Sequence, residues 1–161
     1  MARKWCSKSK LRHVFRSGAI RGEQGDRKET SPWVRAALRQ LSHISPGIAL
    51  DIPSGRGRHS RLLIELGFRV VAADLDRKAI LDAASQSLPT DSLLWVQLDA
   101  LRPLPFANET FDLVVVIHPH SLDVLAPAKS SLRVGGHLIL ETFGAPPGDA
   151  AVIVSLMELH G

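Results

Sequence analysis

A single cysteine, Cys6, stands among 161 residues. That excludes an internal disulfide framework and leaves nothing to suggest an oxidising, secreted setting. Long apolar runs are missing as well. The longest begins at Ala150, reaches Val154 and resumes at Leu156, far short of the roughly 18–20 residues that span a bilayer. No internal repeat is visible, so a solenoid or propeller is excluded. Acids are absent from the first 22 residues, where Ser7, Ser9 and Ser17 are scattered among Lys and Arg. A cytoplasmic location is the expectation, with organelle targeting by this basic leader left open.

What is present describes an ordinary folded domain, 45% hydrophobic and 22% charged. The net charge of +4 is confined to one end, where residues 1–30 hold nine Lys/Arg against three acids. The rest of the chain is slightly acidic, so its overall basicity is no argument for a nucleic-acid surface on the domain itself. Two segments are therefore expected. Residues 1–30 form a basic, flexible leader without an apolar face, open to reading as an RNA-touching arm, a targeting peptide or a solvated tail. Residues 31–161 form the domain.

From Ser31 onward, helical and strand patterns alternate. Ser31 suits an N-cap and Pro32 a first helical position, which starts a helix ended by Pro46 and Gly47. Apolar strands are expected at 48–52, 68–73, 93–98, 113–117 and 137–143, each bounded by turn residues. Between them lie helices at 60–66 and 77–84 and a short one around 122–132, broken by Pro127. Strands this apolar must be covered on both faces. The pattern predicts an α/β fold, a doubly wound, Rossmann-like, mostly parallel sheet.

Ligands of such sheets bind at the carboxyl ends of the strands. The first strand ends at Asp51 and runs through Pro53-Ser54-Gly55-Arg56-Gly57 into a helix. Glycines at 55 and 57 permit positive φ and close backbone approach, and the helix start offers unpaired N–H groups to an anion. Asp51 would repel a pyrophosphate but suits a ligand bearing an amine. Asp74 closes the second strand, where an acid can accept from both hydroxyls of a ribose, and Asp99 closes the third, where it can accept from an adenine amine. Each feature alone is commonplace in loops and caps. Three acids ending consecutive strands, with the glycine loop after the first, point together to a nucleoside-bearing ligand.

The segment ALDIPSGRGRHSRLLIELGFRVVAADLD resembles the first two motifs of class I S-adenosylmethionine-dependent methyltransferases, nearest to the small branch that includes the tellurite-resistance enzymes. QLDALRPLPFANETFDLVVVIHPH is similar to their third and fourth motifs, and LRVGGHLILETFG to their fifth strand. The resemblance implies S-adenosyl-L-methionine as cofactor. By it, Asp51, Ser54, Gly55 and Gly57 surround the methionine part, Asp74 holds the ribose, and Leu75 packs on the adenine. Asp99 and Ala100 bind the adenine, and His118 lies beside the departing methyl group. Arg56 and Arg58 flank the loop, equally suited to the cofactor carboxylate and to a solvated face.

Methyl transfer needs alignment and dryness more than protein nucleophiles, and a base only when the acceptor is protonated. His118 and His120 are candidate bases, although the same positions suit plain loop histidines. With no third ligand near them, no metal site is expected. A nicotinamide enzyme is disfavoured because Ser60 replaces the third glycine of the dinucleotide fingerprint. His-Pro-His-Ser at the fourth motif differs from the Asn/Asp-Pro-Pro-aromatic of base-amine methyltransferases, which favours a small-molecule acceptor over nucleic acid. Only the 18 residues GAPPGDAAVIVSLMELHG follow the fifth strand, where the family adds a helix and an antiparallel strand pair. This predicts a shortened sheet with strand five as an edge open to homodimer pairing. It also leaves, as the alternative to a small-molecule methyltransferase, a weakly active or non-catalytic cofactor-binding partner protein.

Overall fold

The computed structural model describes residues 11–16, 30–87, 90–144 and 151–159. Strand β1 is Leu11–Arg16, followed by α1 (Pro32–Gln40), β2 (Ile48–Asp51), α2 (Arg58–Glu65), β3 (Arg69–Asp74), α3 (Arg77–Ser85) and β4 (Leu93–Gln97). Then come β5 (Phe111–Ile117), a 3-10 turn at Leu122–Val124, α4 (Leu125–Ser131), β6 (Leu132–Gly144) and β7 (Ala151–Leu159). One sheet holds every strand in the order β1-β7-β6-β5-β2-β3-β4. From β4 to β6 all pairings are parallel, which is the doubly wound architecture that the alternating pattern requires.

The local sequence explains the elements. Ser31 caps α1 by accepting the Trp33 N–H at 3.2 Å, with Pro32 at the first helical position. Asp76 caps α3 by accepting from Lys78 and Ala79. All seven residues of β5 are buried, and the period of two sends its side chains alternately to two cores. Leu113, Val115 and Ile117 pack with Val34, Leu38, Leu62 and Leu63 of α1 and α2. Val114 and Val116 pack with Val124, Ala128, Leu138 and Leu140 on the opposite face. At the amino ends of the strands, Asp112 is a strut rather than the simple loop acid that its position suggests. It accepts the Ile48 N–H at 2.6 Å and pairs with Arg133.

Two local expectations are corrected. Pro127 does not break the short helix, because it lies in the first turn of α4, where a missing N–H costs no hydrogen bond. Gly135 and Gly136 lie inside β6 rather than before it. They absorb a register shift between the Phe111↔Leu132 and Leu113↔His137 pairs, with Gly135 at φ 77°.

The larger correction concerns the ends of the chain. Strand β6 is no edge: β7 pairs with it antiparallel from His137↔Glu158 to Gly144↔Ala151. Nor are residues 1–30 wholly a flexible leader, since β1 pairs antiparallel with β7, from Leu11↔Leu159 to Arg16↔Ser155. The antiparallel pair that 18 residues cannot supply is built from both ends of the chain. Ladder hydrogen bonds account for this, because an uncovered β6 would leave a row of backbone groups unpaired. The remaining parts of the leader, residues 1–10 and 17–29, lie outside the described residues. Deleting residues 1–16 is therefore expected to lower the melting temperature and to promote self-association through the bared β7. A truncated chain that melts with the parent and stays equally monodisperse in sedimentation would contradict this.

Candidate functional site

The carboxyl ends of β2, β3, β4 and β5 converge on one rim, and the crossover reverses between β2 and β5, the switch point of an open α/β sheet. Asp51 ends β2 fully buried, and Ser60 on α2 donates a 2.5 Å hydrogen bond to its Oδ2. Burial pushes this carboxyl up to about 7, against which the Ser60 hydrogen bonds pull it down. Asp51 Oδ1 and the Ser54 hydroxyl are also buried, and neither has a hydrogen-bond partner among the described residues. Two orphaned polar atoms beside one loop are a costly arrangement for an apolar interior. A ligand ammonium would complete both.

The loop itself is built for close approach. Gly55 and Gly57 have φ of 53° and 71°, in the left-handed region. They are not equivalent. A Cβ on Gly57 would stand 2.2 Å from the Trp95 ring, whereas one on Gly55 meets nothing within 4 Å. Trp95 of β4 thus forms the floor of the loop, and open space lies above Gly55. Gly57 also caps α2 without a side chain, which leaves that helix's first N–H groups facing the rim.

Asp74, at the end of β3, accepts the Gly55 N–H at 2.6 Å on one oxygen and the Asp76 N–H at 2.8 Å on the other. It braces the loop and still has lone pairs for ribose hydroxyls. Leu75 beside it is largely exposed, an apolar surface at the place where an adenine would lie. Asp99 accepts the Leu101 N–H and pairs with Arg102, and Ala100 packs against the second core. Arg56 is largely exposed and, among the described residues, its side chain pairs with Asp82 at 3.7 Å, which favours the solvated-face reading for that residue. His120 is exposed.

His118 follows β5 with φ 49°, unusual for a residue with a Cβ. Its backbone N–H donates to the Glu141 carbonyl at 2.7 Å, and its Nε2 lies 3.1 Å from Glu141 Oε1. No motif singles out Glu141, although it is the single acid of β6. Burial pushes its carboxyl up, but His118 and the nearby Ser31 hydroxyl and His59 outweigh that and hold it below the usual range. His59 sits in the first turn of α2. It is buried, accepts the Ser31 N–H at 3.5 Å and is pushed down to about 4, chiefly by desolvation. It lies near the same acid.

The model of a methyltransferase domain matches residues 49–136, and the chain belongs to the class I S-adenosylmethionine-dependent methyltransferases. Among its relatives is the tRNA U34 carboxymethyltransferase of Shewanella frigidimarina, 30% identical over 84% of this chain and 44% of the relative. Another is the demethylmenaquinone methyltransferase of Thermobifida fusca, 30% identical over 71% of this chain and 51% of the relative. The chain thus spans about half the length of these relatives. The PH0226 protein of Pyrococcus horikoshii superimposes with a TM-score of 0.56 at 26% identity, over 70% of this chain and 59% of its own. An S-adenosylmethionine-dependent methyltransferase of Mesorhizobium loti gives 0.56 at 21% identity, over 68% and 52%. S-adenosylmethionine is the cofactor of this family, and the orphaned Asp51 and Ser54 atoms, the open space above Gly55 and the exposed Leu75 fit its parts.

The two glycines are expected to fail differently. Gly57→Ala drives a Cβ into Trp95 and should destabilise the fold by clearly more than the ~1–2 kcal/mol of left-handed strain. Gly55→Ala should cost little beyond that strain yet weaken S-adenosylhomocysteine binding, because its Cβ enters ligand space. Thermal melts and calorimetry of both variants check this. Equal effects on stability would show that Trp95 gives way.

Proposed function

We propose that this domain transfers a methyl group from S-adenosylmethionine to a small molecule. The observation that carries the reading is the pair of buried, unpartnered oxygens on Asp51 and Ser54 at the glycine loop, which a ligand amine satisfies and a pyrophosphate does not. Asp51 and Ser54 would hold the cofactor's amino-acid end. Asp74 would take its ribose, with Leu75, Asp99 and Ala100 around its adenine. When bound, the cofactor supplies an activated methyl group. The chain supplies alignment and a site shielded from water.

Two features favour a small acceptor over a nucleic acid. The domain beyond residue 30 carries no excess of Lys and Arg, and a nucleic-acid surface needs one. The turn after β5 reads His118-Pro119-His120-Ser121, without the planar aromatic that stacks on a flipped base. The tRNA-directed names among the relatives make RNA the reading to test against. No described helix is long and apolar enough to cross a membrane.

Calorimetry is expected to show binding of S-adenosylhomocysteine and none of NADH. Asp74→Ala should weaken binding by roughly 1–3 kcal/mol, the cost of unpairing buried hydroxyl donors. With methyl-labelled cofactor and a cell extract, label should enter the small-molecule fraction. Label in tRNA instead would overturn the choice of acceptor, and binding of NADH alone would overturn the choice of cofactor.

A further inference from the structure

Glu141 and His118 form a second polar group at the rim, apart from the Asp51–Ser54 pair. Glu141 is only 4% exposed, and its Oε1 is taken by His118 at 3.1 Å. Its Oε2 is buried with no hydrogen-bond partner among the described residues. The strand register puts Glu141 opposite Ile117, the last residue of β5, directly below the turn that carries His118. The main-chain bond from His118 to the Glu141 carbonyl makes the grip two-point and holds His118 in its left-handed conformation, a local strain typical of functional positions. The imidazoles of His59 and His118 both influence Glu141, and Ser31 lies beside them. A structural carboxylate in this position would have both oxygens satisfied. One oxygen is kept for something else.

We propose that Glu141, held by His118, is the acceptor-recognition group of this domain. Its free oxygen accepts a hydrogen bond from the attacking atom, so the acceptor class is an amine or hydroxyl that carries its own hydrogen. Halides, oxyanions and carboxylates are disfavoured, since a buried carboxylate repels them. This rests on the cofactor reading above, and on the family resemblance, which implies that the departing methyl group lies at the His118 turn. In the transfer the acceptor's lone pair forms the new bond to carbon while the carbon–sulfur bond breaks and leaves its electrons on sulfur. The proton of the attacking atom passes to the Glu141–His118 pair.

The test needs no turnover. Sinefungin differs from S-adenosylhomocysteine in bearing an amine where the methyl group would be, so it presents an N–H donor directed toward the acceptor position. Calorimetry on the full chain should show sinefungin binding roughly ten- to a hundredfold tighter, as a charge-assisted hydrogen bond provides. Glu141→Gln should shrink that ratio to near unity, with the loss confined to sinefungin. Glu141→Asp, which withdraws the carboxylate by one methylene, should reduce it in part and serves if the glutamine variant does not fold. Equal affinities on the parent chain, or a ratio that survives the substitutions, would overturn the proposal while leaving the cofactor reading standing. Binding of neither compound would remove the cofactor reading and this inference with it.

Discussion

A carboxylate sealed among apolar strands dominates this molecule. Asp51 is fully buried, held by Ser60 on one oxygen and unpartnered on the other. In an apolar surrounding the charged form is disfavoured by several kcal/mol unless a counter-charge arrives, and its pKa near 7 expresses that balance. The rest of the rim answers to it. Gly57 allows α2 to start where Ser60 can reach the acid, Trp95 fixes the loop from beneath, and Asp74 ties Gly55 down. In the proposed reading, the rim holds one cationic group, with nucleoside contacts along the neighbouring strand ends.

Much of the fold was legible in the sequence, because the governing signals are local. Apolar runs closed by Asp51, Asp74 and Asp99 reported strands and their carboxyl ends. Gly55 and Gly57 reported a backbone turn, and Ser31-Pro32 reported a helix start. Each follows from the chemistry of one residue and its immediate neighbours. The roles of Arg56 and Asp112 were not legible. Whether a charged side chain meets a ligand, the solvent or a distant backbone N–H depends on packing that sequence spacing does not encode.

The pairing of β1 with β7 and the Glu141–His118 contact were hidden for another reason. Both join residues far apart in sequence, Leu11 with Leu159 and His118 with Glu141, and neither pairing follows from local spacing. The basic composition around Leu11–Arg16 argued for a solvated leader, and the ladder hydrogen bonds of an otherwise bare strand outweighed it. For Glu141 a signal did exist. A lone acid directly after the buried Leu138, Ile139 and Leu140 conflicts with its surroundings, and such conflicts mark functional positions.

The central claim is that Asp51 awaits a cation, and proton linkage tests it most directly. A carboxyl with a pKa near 7 is partly protonated at neutral pH, and a bound ammonium stabilises its charged form. Binding must therefore expel the proton. Calorimetric titration of S-adenosylhomocysteine at pH 7, repeated in buffers of different ionisation enthalpy, should show release of about half a proton per ligand bound. Asp51→Asn should abolish the release and weaken binding. Binding to the parent chain with no proton exchange, or with proton uptake, would contradict the account.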